Sequence, residues 1–180
     1  MNETGLSVFM KRRNLVMGGA AALSLGACSQ SKFKTYNGPE VTYIVVNKGA
    51  REMFLFNQDR VLKKYEIDLG FEPIGDKFFE GDGRTPEGNY FIDRRNPDSK
   101  FHLSLGISYP NAQDRAEAAA LGKPPGGDIF IHGNSNLFRT INKRIKGTED
   151  WTWGCIAVTD RQMETVYAMV RNGTPIQINA

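Results

Sequence analysis

Residues Thr152 to Val158 read T-W-G-C-I-A-V, and Ile131-His132-Gly133 stands upstream of them. Cys155 follows a glycine and precedes an apolar run, which places a thiol at a tight turn entering a strand or buried segment. Such a turn exposes a sulfur and aims backbone N–H groups beside it. A thiol of ordinary pKa, about 8.5, is mostly protonated at neutral pH, so a nucleophilic cysteine generally works with an imidazole. The chain has only two histidines, and His132 ends a strand-like run. The plainer reading is that Cys155 is a buried, inert packing residue, as cysteines often are.

Working outward, Gly83-Arg84-Thr85-Pro86-Glu87-Gly88 forms a third distinctive element. Together, His132-Gly133, the Thr152-Trp153-Gly154-Cys155 run and this Thr-Pro-x-Gly turn resemble the L,D-transpeptidase catalytic-domain (YkuD-like) family. They occur in the family's order, within a span of roughly Val41 to Ile178. There are departures: the segment between His132 and Cys155 is longer than in most members, Trp153 stands where a histidine is usual, and Ala157 replaces a common Asn or Arg. The pattern resembles a branch whose members include enzymes that detach, rather than form, cross-links, and this chain resembles a lipoprotein member of it.

The resemblance implies a compact β-sandwich-like fold with an active-site groove at its edge. It implies Cys155 as nucleophile and His132 as general acid/base, with Gly154, Thr152, Trp153 and Gly133 forming the oxyanion site and groove. The substrates would be peptidoglycan stem peptides, attacked at the carbonyl of the L-centre of the third residue. Transfer to an amine makes a transpeptidase; transfer to water makes a thiol hydrolase that cleaves murein cross-links or frees a murein-bound lipoprotein. A catalytically inactive murein-binding lipoprotein is the alternative from another class. Carbapenem-type β-lactams would acylate Cys155 in the first two cases. Thr152 either orients the site or stabilises its own turn, and Trp153 either walls the groove or packs, burial being favoured for its area.

The rest of the chain suits one such domain. A length of 180 residues with 40% hydrophobic content supplies one core and no more. Lys11-Arg12-Arg13 precede an apolar run from Leu15 to Ala27, too short to span a bilayer, so residues 1–27 read as a signal peptide. Leu25-Gly26-Ala27-Cys28 resembles a lipobox, which implies lipidation at Cys28, a membrane anchor and a periplasm-facing position, at the outer membrane rather than the inner. An ordinary secretory leader is the alternative. Residues 28–40 read as a tether and 41–180 as the catalytic domain.

Without residues 1–27, 20 basic side chains face 19 acidic ones. That near-neutral balance and the lack of a Lys/Arg block exclude a nucleic-acid groove. Two histidines and one remaining cysteine make a poor zinc set, so no metal and no cofactor are expected.

Strand-like runs cover Val41–Val46, Arg51–Phe56, Arg60–Leu69, Glu87–Asp93, Lys100–Ile107, Asp128–Ile131 and Thr174–Asn179. In the fifth, Phe101, Leu103 and Leu105 alternate with His102, Ser104 and Gly106, so the first set is expected in the core and His102 on the polar face, as an ordinary surface or edge-strand histidine in preference to one lining the cleft. Helices are expected at Asn111–Leu121, capped by Asn111, and from Asp160 onward, capped by Asp160, with Met163, Val166, Tyr167 and Val170 on one face. Residues 134–150 carry helix-compatible apolar spacing and several basic residues, which fits a lid or a structural insertion equally. The fold class is mainly β with a few short helices, an α+β arrangement with no βα alternation.

Overall fold

A computed structural model of the protein describes Met1 and residues 31–134, 140, 141, 143, 144, 147 and 149–180. The leader, Cys28 and much of the 134–150 segment lie outside the described residues. Eight strands run β1 Tyr43–Asn47, β2 Glu52–Asn57, β3 Arg60–Glu66, β4 Gly88–Asn96, β5 Ser104–Ile107, β6 Phe130–His132, β7 Ile156–Ala157 and β8 Pro175–Asn179. They form one sheet in the order β3-β2-β1-β8-β4-β5-β6-β7. Alternation on β1, β2 and β8 buries one face of each, including Ile44, Val46, Met53, Leu55, Ile176 and Ile178.

The sheet curls because the chain leaving β3 returns to its far edge. Asp68 and Ala157 exchange two backbone hydrogen bonds of 2.9 Å, and Thr152 N–H donates to Leu69 O at 3.1 Å. β7 therefore lies between β6, where Ala157 registers with His132, and the Asp68 segment. The sandwich expected from the sequence is thus a single curled sheet with helices packed on it.

Two helices lie wholly within the described residues, α1, Ala112–Ala120, and α2, Asp160–Met169. Asn111 caps α1 as expected, its Oδ1 accepting from the Gln113 and Asp114 N–H groups. The cap of α2 is Thr159 rather than Asp160: its Oγ1 accepts from Gln162 N–H while Gln162 returns a bond to Thr159 N–H. That frees the Asp160 carboxylate to accept from Asn134 N–H at 2.6 Å. Met163, Val166, Tyr167 and Val170 are buried as expected.

The fifth strand differs from the sequence reading. It begins at Ser104, and all four of its residues are buried, Gly106 included. β5 lies between β4 and β6 with helix α2 against it, so both faces are covered and alternation carries no signal there. Phe101 lies outside the strand and is partly exposed.

Three backbone segments cross closely beneath the Cys155 turn. A Cβ on Gly70 would lie 2.1 Å from Gly83 O and 3.2 Å from Gly154 Cα; one on Gly154 would lie 2.5 Å from Arg84 O. Gly154 also holds φ at +120°, a value side chains rarely permit. The Gly83–Gly88 turn is thereby the floor of the cysteine turn. Its Thr85, fully buried, accepts from Gly70 N–H at 3.1 Å.

Lys48 ties that floor to β1. It is 1% exposed, and its Nζ donates to Gly75 O (2.6 Å), Thr85 O (2.8 Å) and Glu87 Oε1 (2.8 Å). An ammonium buried this deeply is tolerated only because all three of its N–H bonds have acceptors. Lys48→Ala would leave those acceptors unpaired and is expected to cost about 3 kcal/mol or more in urea unfolding. Lys64→Ala, which removes a solvent-exposed pair with Glu52, should cost no more than about 1 kcal/mol. Equal, small losses for both would contradict the knot's role.

Candidate active site

His132 ends β6 and is 2% exposed. Its ring lies between two aromatic side chains: Phe101 stacks on it with centroids 4.4 Å apart, and Trp151 meets it edge-on at 5.6 Å. Trp151 is in turn fixed by its indole N–H, which donates to Asp68 Oδ2 at 2.9 Å. His132 Nδ1 lies 2.8 Å from Gly133 O. A carbonyl oxygen only accepts, so Nδ1 carries the proton and Nε2 is left with its lone pair. Gly133 must be glycine because a Cβ would lie 2.4 Å from Asp160 Oδ1 and 2.9 Å from Phe101 O.

Cys155 is half-buried, with Sγ 3.6 Å from Asp128 O. Thr152, 3% exposed, staples the turn that presents it. Its hydroxyl donates to Cys155 O at 2.7 Å and accepts from Gly154 N–H at 3.1 Å. Of the two Thr152 roles left open by the sequence, these bonds show the turn-stabilising one. Gly154 N–H is occupied by this bond, which leaves the Cys155 amide as the turn's candidate donor to a ligand.

Two cavities meet at the thiol. One of about 400 Å³ is lined by Asp98, Lys100, Phe101, Ser104, His132 and Cys155, among others. The second, about 380 Å³, is lined by Phe101, His132, Trp151, Thr152, Trp153 and Cys155. His132 and Cys155 wall both. Trp153, expected to be buried, is 69% exposed and stands edge-on against Phe71 at 4.8 Å. It follows a stapled threonine and precedes a glycine pressed against Arg84 O, so the backbone leaves its side chain no route into the core.

Of the residues singled out from sequence, Cys155, His132, Thr152 and Trp153 converge here, and Gly133 and Gly154 shape the backbone. His102 does not join them: its Nε2 pairs with Glu164 Oε1 at 3.1 Å on helix α2. Phe101, Trp151 and Asp68 are site residues that periodicity concealed. Trp151 alone carried a signal, being an aromatic beside the T-W-G-C run.

The N-terminal segment also reaches this region. Lys32 Nζ donates to Pro97 O (2.6 Å) and His102 O (3.3 Å), bracketing the loop that carries Phe101. Lys34 pairs with Glu164 at 3.1 Å. Lys32 and Lys34, within the stretch read as a tether, thus make contacts with the domain.

The L,D-transpeptidase catalytic domain matches residues 41–178. The chain belongs to this family. Among curated proteins it is similar to the Escherichia coli K12 protein named "Putative L,D-transpeptidase YafK", 28% identical over 134 residues, which is 71% of this chain and 46% of that one. The chain therefore spans about half the length of the curated relatives it matches. The helical cell shape determining protein Pgp2 of Campylobacter jejuni superposes with a TM-score of 0.56 at 25% identity, over 79% of this chain and 49% of that one. Bd1075 of Bdellovibrio bacteriovorus gives 0.50 at 25%, over 77% and 48%. Enzymes of this family act on peptidoglycan in the cell envelope. No described helix is long and apolar enough to cross a membrane.

Burial sets the protonation of both polar groups. It pushes the His132 imidazole down to about 4, against a smaller opposing effect of the Gly133 carbonyl. It pushes the Cys155 thiol up to about 11, against a smaller opposing effect of the Phe130 backbone, with the Asp128 carboxylate adding to the shift and the Lys77 ammonium opposing it. At neutral pH the site holds a neutral thiol and a neutral imidazole. Alkylation by iodoacetamide at pH 7.5 should then be slower than that of free cysteine, and should rise with pH, without a plateau, to about pH 11. A plateau below pH 8 would instead reveal a preformed thiolate–imidazolium pair.

Proposed function

We propose that this protein is a cysteine acyltransferase that processes peptidoglycan stem peptides through a thioester on Cys155. The observation that carries the reading is the fixed tautomer of His132: its Nδ1–H is committed to Gly133 O, in the same cavities that Cys155 lines. A lone pair on Nε2 is what a general base requires. As sulfur attacks the peptide carbonyl, Nε2 takes the thiol proton, and the tetrahedral oxyanion accepts from the Cys155 N–H. Collapse breaks the C–N bond, and Nε2 returns the proton to the leaving amine. A second amine then attacks the thioester, giving its proton to Nε2 and releasing the thiolate, which recovers that proton.

Two cavities meeting at one sulfur suit this sequence, since the acyl chain keeps one while leaving and entering groups exchange through the other. Neutral partners suit it too: the charged pair forms only as the carbonyl is attacked, so the thiol is not exposed as a standing thiolate. The bond attacked is that after the L-centre of the third stem residue, by resemblance to the family. Lipidation at Cys28 would hold the domain at a periplasm-facing membrane surface within reach of murein. Cys28→Ser protein is then expected to move from the detergent phase to the aqueous phase on phase partitioning; retention in the detergent phase would contradict the anchor.

Wild-type and Cys155→Ala proteins should be incubated with tetrapeptide muropeptides and with cross-linked murein, with and without an acceptor amine, and products read by mass spectrometry. Cysteine-dependent products joined to the amine are expected. Cysteine-dependent shortening without amine incorporation would assign the thiol-hydrolase reaction instead, and unchanged substrates with both proteins would make the chain a binding module. The rate should also persist on the acid side to about pH 5 and fall near pH 4 as Nε2 becomes protonated; an acid limb near 6.5 would remove His132 as the base.

A further inference from the structure

Three strands carry one row of side chains across the floor of the larger cysteine cavity. Asn96 of β4 registers with Ser104 of β5, and Ser104 registers with His132 of β6. Residues directly opposed on antiparallel strands project to the same face, with Cβ atoms about 5 Å apart. Which face this is follows from the neighbours. Asn96, Ser104, Phe130 and His132 all line the cavity, whereas Leu105 and Ile131, one step along and pointing the other way, are fully buried in the core. The Ser104 side chain therefore stands beside the imidazole on the cavity side of the sheet.

Ser104 is 3% exposed, and among the described residues its hydroxyl has no hydrogen-bonding partner. Tyr65 Oη is the one side-chain polar atom among them that is both enclosed and unpaired; the Ser104 hydroxyl keeps an outlet through the cavity it lines. A hydroxyl withdrawn from bulk water without a partner is costly, and the cost is relieved when a group in the cavity bonds to it. Two neighbouring acceptors are already engaged: the Asp128 carboxylate pairs with Arg94 at 2.8 Å, and Asn96 Oδ1 accepts from Asp98 N–H at 2.9 Å.

Acyl transfer leaves one hydrogen to be accounted for. The amine expelled on acylation, and the amine or water that attacks the thioester, each carry two hydrogens; one travels through His132 Nε2, and the other stays on the nitrogen or oxygen throughout. In a site screened from bulk water that second N–H or O–H needs an acceptor of its own. We propose that Ser104 is a further catalytic residue: its Oγ accepts the hydrogen that stays on the entering or leaving group, which turns that group's lone pair toward the carbonyl carbon and its mobile hydrogen toward Nε2. This role rests on the reading of the chain as a Cys155 acyltransferase. The proton balance is unaltered. In deacylation the new bond to the carbonyl carbon forms, the C–S bond breaks, Nε2 carries one proton from the entering group to the thiolate, and Ser104 neither gains nor loses one.

The test exploits a leaving group that lacks this hydrogen. The ring nitrogen of a carbapenem-type β-lactam is bonded to three carbons, so acylation of Cys155 by it, followed by intact-protein mass spectrometry of the full chain carrying Ser104→Ala, should run within about twofold of the wild-type rate. In the same protein, cysteine-dependent turnover of a tetrapeptide muropeptide with an acceptor amine should fall about tenfold, the loss of one hydrogen bond made in the transition state. Ser104→Thr keeps the hydroxyl and should recover most of that turnover. Equal slowing of both reactions would mark a disturbance of His132 or Cys155 and overturn the role, as would unchanged turnover in Ser104→Ala or equal losses in Ser104→Ala and Ser104→Thr. The two proposals fail separately: a wild type with neither a carbapenem adduct nor cysteine-dependent products removes acyl transfer itself, whereas a wild type active in both, with an indifferent Ser104→Ala, removes the serine alone.

Discussion

Ala157 is held on both sides. On one edge it registers with His132 of β6, and on the other it exchanges two hydrogen bonds with Asp68, the residue that brings the chain back from β3 to close the curl. Cys155 sits two residues before it on the same backbone. The thiol and the imidazole therefore face shared cavities because of a parallel pairing only two residues long, which would be marginal if the Asp68 segment did not clamp it from the other side. The departure from the family's Asn or Arg at this position has a local meaning here. Ala157 is fully buried between two backbones.

That same closure explains the site's electrostatics. Drawing β6, β7 and the Asp68 segment together seals His132 behind Phe101 and Trp151, and the seal costs the imidazole its charged form. A buried base that is neutral well below its usual range, opposite a thiol neutral well above its own, makes charge separation costly until a carbonyl is there to receive the electrons. Tautomer control comes from a carbonyl next door rather than from an acidic side chain. The buried Asp68 acts one step further out, through the indole that walls the ring.

Much of this was legible in the chain. The short signatures at His132 and Cys155, the strand-like runs at β1, β2 and β8 and the Asn111 cap are local patterns, and local patterns survive in sequence. What was not legible depends on distant segments meeting. Lys48 carries no local signal, because Gly75, Thr85 and Glu87 come from distant segments to surround its Nζ. Phe101 fits an alternating strand by period, yet β5, covered on both faces, begins three residues later and releases it to stack on His132. Trp153 looks like core by area alone; the threonine staple before it and the glycine crossing after it hold it in solvent. Thr159 outcompetes Asp160 as a cap because its box partner, Gln162, lies at the right spacing, a signal that was present and went to the wrong residue.

The covalent step is the centre of the proposed mechanism and can be observed directly. Intact-protein mass spectrometry of the full chain mixed with a carbapenem-type β-lactam, beside a Cys155→Ser control, reads it without assuming any natural substrate. A stable mass increase equal to one β-lactam on the wild type, absent from the control and lost in His132→Ala at neutral pH, is the predicted result. No adduct on the wild type, or an adduct that survives Cys155→Ser, would contradict acyl transfer at this sulfur.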